Sequence, residues 1–126
     1  MIKGIGTDIV EIKRIEEMGI ERLARRILTE KERNLLPERE RRRLEYIAGR
    51  FAAKEAISKA LGTGIGQCVS FTDLEIVNVE KGTPRAVLSA SAQQRLFGGS
   101  RIHIHLSISH SDHYATAMSI VEEMKD

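Results

Sequence analysis

The chain has 126 residues, 41% hydrophobic and 30% charged, with a formal net charge of +2. That length fits one domain spanning residues 1–126, and the composition excludes disordered, collagen-like and mucin-like chains. Aromatics make up 4% and Trp is absent, so Ile, Leu, Val and Ala have to build the core, and no apolar run approaches the roughly 20 residues of a membrane span.

Residues 1–6 lack the apolar run of a secretory signal. The single cysteine, Cys68, cannot form an internal disulfide, which predicts a reducing, cytoplasmic setting. Residues 11–60 carry 14 Lys/Arg against 10 Asp/Glu, and the remainder 6 against 8. The basic surplus therefore lies in the first half, on what read as solvated helices, and suits an acidic partner. No aromatics interleave with the arginines and no RNA-binding motif occurs, so nucleic acid is not the expected partner.

In chain order, residues 2–10 read as a strand in which Gly4 and Gly6 mark a bend or a close backbone approach. Helices are expected over 11–18, stopped by Gly19, and over 21–28, with Leu23, Ala24 and Ile27 inward. Thr29 with Glu32 forms a capping box that opens a helix running to Pro37. A long helix over 38–61 carries Leu44, Ala48, Phe51 and Glu55 at i, i+4, i+7 and i+11. The period then changes. Strands are expected over 71–79 and 85–88, joined through residues 80–84 as a hairpin, with a helix over 89–97 capped by Ser89 or Ser91. Ile102, Ile104, Leu106 and Ile108 alternate with His103, His105, Ser107 and Ser109 as in a half-buried strand, and a last strand fits 114–121. Strands flanking a helical block predict an α+β fold, a mostly antiparallel sheet packed on a long helix.

Glu55 ends an apolar stripe, where a carboxylate is desolvated unless something compensates it. Two readings are open: an i, i+4 surface pair with Lys59, or a ligand to a cation. Asp8, near the end of its strand, is either a turn or N-cap acid or a second ligand. Together, Asp8 and Glu55 offer two hard oxygen donors. That is too few for a closed cage, but it suits a magnesium ion that keeps waters and shares substrate phosphates. Gly62-Thr63-Gly64-Ile65-Gly66 follows its helix, so it is not a phosphate loop of the Walker type. It reads as a C-cap or as backbone that must approach something closely. His103 and His105 read as the outer face of a strand, His110 as a residue of a following turn, and Cys68 as structural.

Three segments then carry a resemblance: Gly4-Ile5-Gly6-Thr7-Asp8-Ile9-Val10-Glu11; Gly49-Arg50-Phe51-Ala52-Ala53-Lys54-Glu55-Ala56 with Ser58-Lys59-Ala60 and the glycine loop; and Leu106-Ser107-Ile108-Ser109-His110 with Tyr114-Ala115. In this order and spacing the chain resembles the short, bacterial-type holo-acyl-carrier-protein synthase family and implies the 4′-phosphopantetheinyl transferase fold. The resemblance implies transfer of 4′-phosphopantetheine from coenzyme A to a serine of apo-acyl carrier protein, in support of fatty acid biosynthesis, with adenosine 3′,5′-bisphosphate released. It implies magnesium on Asp8 and Glu55 and a phosphate-facing Lys59. His110, Arg50, Pro84, Gly62 and Gly64 are expected at the coenzyme A nucleotide. It also implies a homotrimer with each active site between neighbouring subunits. The carrier protein is acidic in this family, and Arg14, Arg22, Arg25 and Arg26 are the expected docking surface, Arg14 foremost. The serine proton goes to Glu55 or to a metal-held water, and both remain open. Two other readings stand beside this one: a zinc hydrolase using His103, His105 and His110, and an RNA-binding domain using the arginines within 39–43.

Overall fold

In a computed structural model, which describes residues 1–78 and 82–124, two glycines press the first strand against the longest helix. The strand is β1 (Ile2–Glu11) and the helix is α4 (Glu40–Leu61). A Cβ at Gly4 would overlap the Ala60 carbonyl, and one at Gly6 the Ala56 carbonyl. Only residues without side chains allow this approach. The helix meets the strand halfway by being alanine-rich: Ala48, Ala52, Ala53, Ala56 and Ala60 are all buried.

Between β1 and α4 the chain forms α1 (Ile12–Met18), α2 (Ile20–Ile27) and α3 (Glu30–Asn34). Gly19 separates the first two at φ 97°, a left-handed conformation that favours glycine. Ile12, Ile15, Leu23, Ala24 and Ile27 point into the core. After α4, a 3-10 turn (Phe71–Asp73) leads into β2 (Leu74–Asn78), which pairs antiparallel with β3 (Pro84–Leu88). Then come α5 (Ala90–Phe97), β4 (Arg101–His110) and β5 (Tyr114–Met124). The larger sheet has the order β1-β5-β4, all antiparallel, and one face lies on α4. The α+β class, with an antiparallel sheet on a long helix, is the observed architecture.

A second contact fixes α4 from the other side. Lys54 and Glu32 are both fully buried, and the Lys54 ammonium donates to Glu32 Oε1 and to the Ile27 carbonyl, each at 2.6 Å. Glu32 also accepts the Thr29 and Ile76 backbone N–H groups, each at 2.8 Å. One carboxylate thus serves the capping box, an ion pair and the strand β2. Such a pair is tolerated in the interior only when its remaining lone pairs are satisfied. Burial pulls the Lys54 pKa down, and the Glu32 carboxylate opposes that shift.

Several boundaries differ from the sequence expectation. α3 stops at Asn34 instead of reaching Pro37; the Leu35 and Leu36 N–H groups bond three residues back, to Glu32 and Arg33, and proline disfavours helical backbone in the residue before it. α4 starts at Glu40, two residues later than expected. The strand expected from 71 begins at Leu74, because Ser70 and Asp73 form a capping box: the Asp73 carboxylate accepts the Ser70 N–H at 2.9 Å and holds a helical turn. Val79, Glu80 and Lys81, part of the expected strand and hairpin connection, lie outside the described residues. His110 is the last residue of β4, paired with Ala115, and not part of a turn. No helix among the described residues is long and apolar enough to cross a membrane.

The close approach makes a direct prediction. Gly6→Ala should destabilise the protein by about 3 kcal/mol or more, the upper range for overpacking. Gly66→Ala, where a Cβ meets open space, should stay within about 0.5 kcal/mol. Denaturant midpoints of the two variants check this; equal midpoints would mean the strand can shift away from the helix.

Candidate active site

Residues 4, 6, 8 and 10 of β1 share the face turned to α4, because side chains alternate along a strand. Gly4 lies over Ala60 and Gly6 over Ala56, so each two-residue step on the strand descends one helical turn. The next inward residue is Asp8. By the same step it faces α4 one turn beyond Ala56, where the Glu55 and Lys59 side chains reach it from beside that line. Lys59 Nζ donates to Asp8 Oδ1 at 3.2 Å and to the Thr7 carbonyl at 3.0 Å. Asp8 and Glu55 line one cavity of about 400 Å³ together with Arg14, Phe51 and Met18. A second cavity of about 570 Å³, reaching Asp8 and Lys59, is floored by Ser107, Ser109, Thr116 and Met118 of the sheet.

The two carboxylates act on each other. Burial pushes the Glu55 carboxyl above its ordinary value near 4.5, the Asp8 charge pushes it further, and Lys59 partly offsets both. The i, i+4 pair of Glu55 with Lys59 is not the contact that forms; Lys59 reaches across to Asp8 instead. Nor is Asp8 an N-cap, since the residue preceding α1 is Glu11. Two half-buried, mutually repelling carboxylates form an oxygen donor set that a hard divalent cation would neutralise.

The remaining candidates fall elsewhere. Arg50 is five residues before Glu55, roughly 140° around the helix at 3.6 residues per turn, so it projects from a different flank. There it joins His110, Arg42, Tyr46 and Asn78 around a cavity of about 250 Å³. Pro84 is not among the described residues that line it; it pairs with Asn78, which does line it. His110 Nδ1 lies 3.9 Å from Glu45, which Arg41 also holds at 3.2 Å. Gly62 caps α4 at φ 82° and Gly64 has φ 64°. A Cβ at Gly62, Gly64 or Gly66 meets nothing within 4 Å, so no close approach within the described residues requires glycine at these three positions. Arg22, Arg25 and Arg26 are exposed on α2 and line neither cavity that contains Asp8.

Sequence reading missed two features. The Arg50 guanidinium lies over the Tyr46 ring, 4.0 Å from its centroid, and Lys54 is the partner of Glu32. Tyr46, Arg50 and Lys54 stand at i, i+4 and i+8 on α4, a polar stripe whose spacing was available beside the apolar one. The histidine alternative does not gather a site: His105 bonds Glu122 at 3.1 Å, and among the described residues no three His, Cys, Asp or Glu side chains form a metal cluster. The arginines of the nucleic-acid alternative are partly spent on protein partners. Arg41 bonds Glu45 and the Asp112 carbonyl, and Arg43 bonds Glu21.

Residues 4–119 match the model of the 4′-phosphopantetheinyl transferase superfamily. A holo-[acyl-carrier-protein] synthase of Bacillus cereus is 49% identical, with 98% of each chain covered. The crystal structure of a holo-(acyl-carrier-protein) synthase of Bacillus anthracis in complex with CoA (3′,5′-ADP) superposes with a TM-score of 0.83 at 46% identity, covering 99% of both chains. That of Helicobacter pylori, in complex with coenzyme A, gives 0.80 at 36% identity, covering 94% of this chain and 99% of the other.

The raised Glu55 carboxyl sets a pH dependence for the metal-free protein. Its proton is held more tightly folded than unfolded, so its stabilising contribution is complete below pH ~4.5 and is lost as pH rises through the raised folded value. At pH 7 with chelator, Glu55→Gln should therefore melt higher than the parent, with a flatter dependence of Tm on pH. A lower Tm for Glu55→Gln at pH 7 would show that Lys59 outweighs the repulsion from Asp8.

Proposed function

The chain belongs to the holo-acyl-carrier-protein synthases of the 4′-phosphopantetheinyl transferase superfamily, and we propose that it moves 4′-phosphopantetheine from coenzyme A to a serine of apo-acyl carrier protein using the Asp8, Glu55 and Lys59 cluster. The observation that carries this reading is the meeting of Asp8, Glu55 and Lys59 where β1 crosses α4. In the reaction a bond forms between the serine oxygen and the phosphorus that bears pantetheine. The bond from that phosphorus to the bridging oxygen breaks, and adenosine 3′,5′-bisphosphate leaves. The hydroxyl proton passes to a base, for which Glu55 and solvent are at hand.

Phosphoryl transfer is mostly positioning and neutralisation of charge. Asp8 and Glu55 would hold magnesium, which when bound supplies positive charge beside the pyrophosphate. The mutual repulsion of the two carboxylates supports that assignment. Lys59, bonded to the Thr7 carbonyl and Asp8, keeps an ammonium at the same place to oppose charge on the leaving phosphate. Arg50, with its buried Nε lacking an acceptor among the described residues, and His110, Pro84, Gly62 and Gly64 would receive the nucleotide.

The active form we propose is a homotrimer. The outer face of the three-stranded sheet exposes Ile5 and Ile9, each more than 60% exposed, together with Met118, beside the cavity that reaches Asp8 and Lys59. Such an apolar patch calls for a cover. A neighbouring subunit would also bring its Arg50 flank toward this Asp8 flank, joining two halves that α4 holds apart within one chain. Arg14, which lines the cavity with Asp8 and Glu55, would meet the acidic carrier protein, with Arg22 and Arg25 further out on α2. The fatty acid role and a cytoplasmic setting follow from the same reading.

Intact-mass spectrometry of apo-acyl carrier protein incubated with coenzyme A and magnesium tests the activity. A gain of one phosphopantetheine is expected, abolished by chelator and reduced at least ~100-fold in Asp8→Ala and Glu55→Ala. Arg14→Glu should raise KM for carrier protein and spare KM for coenzyme A. Full turnover in either alanine variant would sink the metal assignment. Sedimentation equilibrium should give three times the 14.1 kDa chain mass, and Ile5→Asp should shift it toward the monomer with loss of activity. A monomeric, fully active parent would rule out shared sites.

A further inference from the structure

Arg50 is 8% exposed, and its buried Nε meets no acceptor among the described residues. A guanidinium in that state needs something to fix its plane. What it has is the face of Tyr46, 4.0 Å from Cζ to the ring centroid. Tyr46 is itself fixed. Its hydroxyl donates to the Glu32 carbonyl at 2.8 Å, and Glu32 is locked by Lys54 and by the Thr29 and Ile76 N–H groups. Arg50 stands one helical turn from each of Tyr46 and Lys54. The chain of contacts therefore runs from a fully buried ion pair, through a peptide carbonyl and an aromatic ring, to an arginine that lines the cavity with its Nε unpartnered among the described residues.

We propose that Tyr46 is a positioning residue for nucleotide binding: its ring, tied through its hydroxyl to the Glu32–Lys54 pair, holds the Arg50 guanidinium flat and aimed into the cavity shared with His110, ready for a phosphate of the coenzyme A nucleotide. This rests on the reading of Arg50 as a nucleotide-binding residue. A guanidinium stacked on a ring keeps its edge free for in-plane hydrogen bonds, the geometry that suits phosphate oxygens. An ion pair with a carboxylate would hold the arginine as firmly, but would occupy that edge and cancel the charge.

The test uses the full-length protein, with calorimetric binding of adenosine 3′,5′-bisphosphate and steady-state kinetics on coenzyme A. Tyr46→Leu should raise Kd and KM by roughly 3- to 30-fold, the span of a desolvated cation–π contact, while kcat at saturating coenzyme A changes less than about twofold. Tyr46→Phe keeps the ring but loses the tie to the Glu32 carbonyl, so its loss of affinity should be measurable but smaller than that of Tyr46→Leu. On an Arg50→Gln background, Tyr46→Leu should add less than about twofold, because its effect runs through that guanidinium. If Tyr46→Leu does not fold, Tyr46→Phe and Tyr46→pentafluorophenylalanine decide the matter. The two rings are nearly alike in shape, and affinity should fall with fluorination as the ring face loses its negative potential.

A flat fluorination series, equal losses in Tyr46→Phe and Tyr46→Leu, or a fall in kcat with KM unchanged would each overturn the proposal. Arg50→Gln separates it from the reading beneath it. If Arg50→Gln leaves Kd unchanged, the nucleotide assignment of this cavity fails. If Arg50→Gln weakens binding and Tyr46→Leu does not, only the role of Tyr46 fails.

Discussion

The absence of two side chains organises this molecule. At Gly4 and Gly6 the backbone of β1 sits against the Ala60 and Ala56 carbonyls of α4, closer than any residue with a Cβ could come. A strand advances roughly 6.6 Å in two residues and a helix roughly 5.4 Å in one turn, so the two keep step over a short distance. That step carries Asp8, the next inward residue, one turn beyond Ala56, within reach of the Glu55 and Lys59 side chains. A Cβ on either glycine would force the strand and the helix apart at this contact.

The contact concentrates unfavourable electrostatics where the chemistry is proposed. Asp8 and burial both raise the Glu55 carboxyl, and perturbed acids of this kind collect at functional sites. The other face of the same helix does the opposite. There Lys54 and Glu32 are paired, saturated with hydrogen bonds and wholly buried. One helix thus carries an incomplete cluster on one flank and a complete one on another. The complete cluster holds the helix in the rotation that exposes the incomplete one.

Much of this was legible in the residues. The 3.6-residue stripe gave α4, strict alternation gave β4, and Thr29 with Glu32 marked the start of α3. Glu55 breaks an apolar stripe, and Asp8 follows two glycines in a strand. Arg50 and His110 were singled out from a family resemblance, and the structure brings them to one cavity. Other features were misread for physical reasons. The turn at 71–73 is set by a serine and an aspartate three apart, a signal that the strong β-forming residues after it outweighed. Of the two readings open for the Gly62–Gly66 loop, the C-cap is the one seen at Gly62, and the close approach within this chain is at Gly4 and Gly6. A glycine states that space is needed, not what fills it.

The sequence by itself determined the periodicities, the caps, the α+β class and the identity of the acids and bases, because each depends on residues within a few positions of one another. The tertiary structure alone decided which of those groups meet. It gave Lys59 to Asp8 and not to Glu55, made Glu32 the partner of Lys54 twenty-two residues away, and set Tyr46 beneath Arg50. It also parted Arg50 from Glu55, since five residues on a helix are neighbours in the chain but point in directions roughly 140° apart. Those outcomes depend on how β1, α3 and β2 pack around α4, a balance of burial and backbone approach that no local pattern encodes.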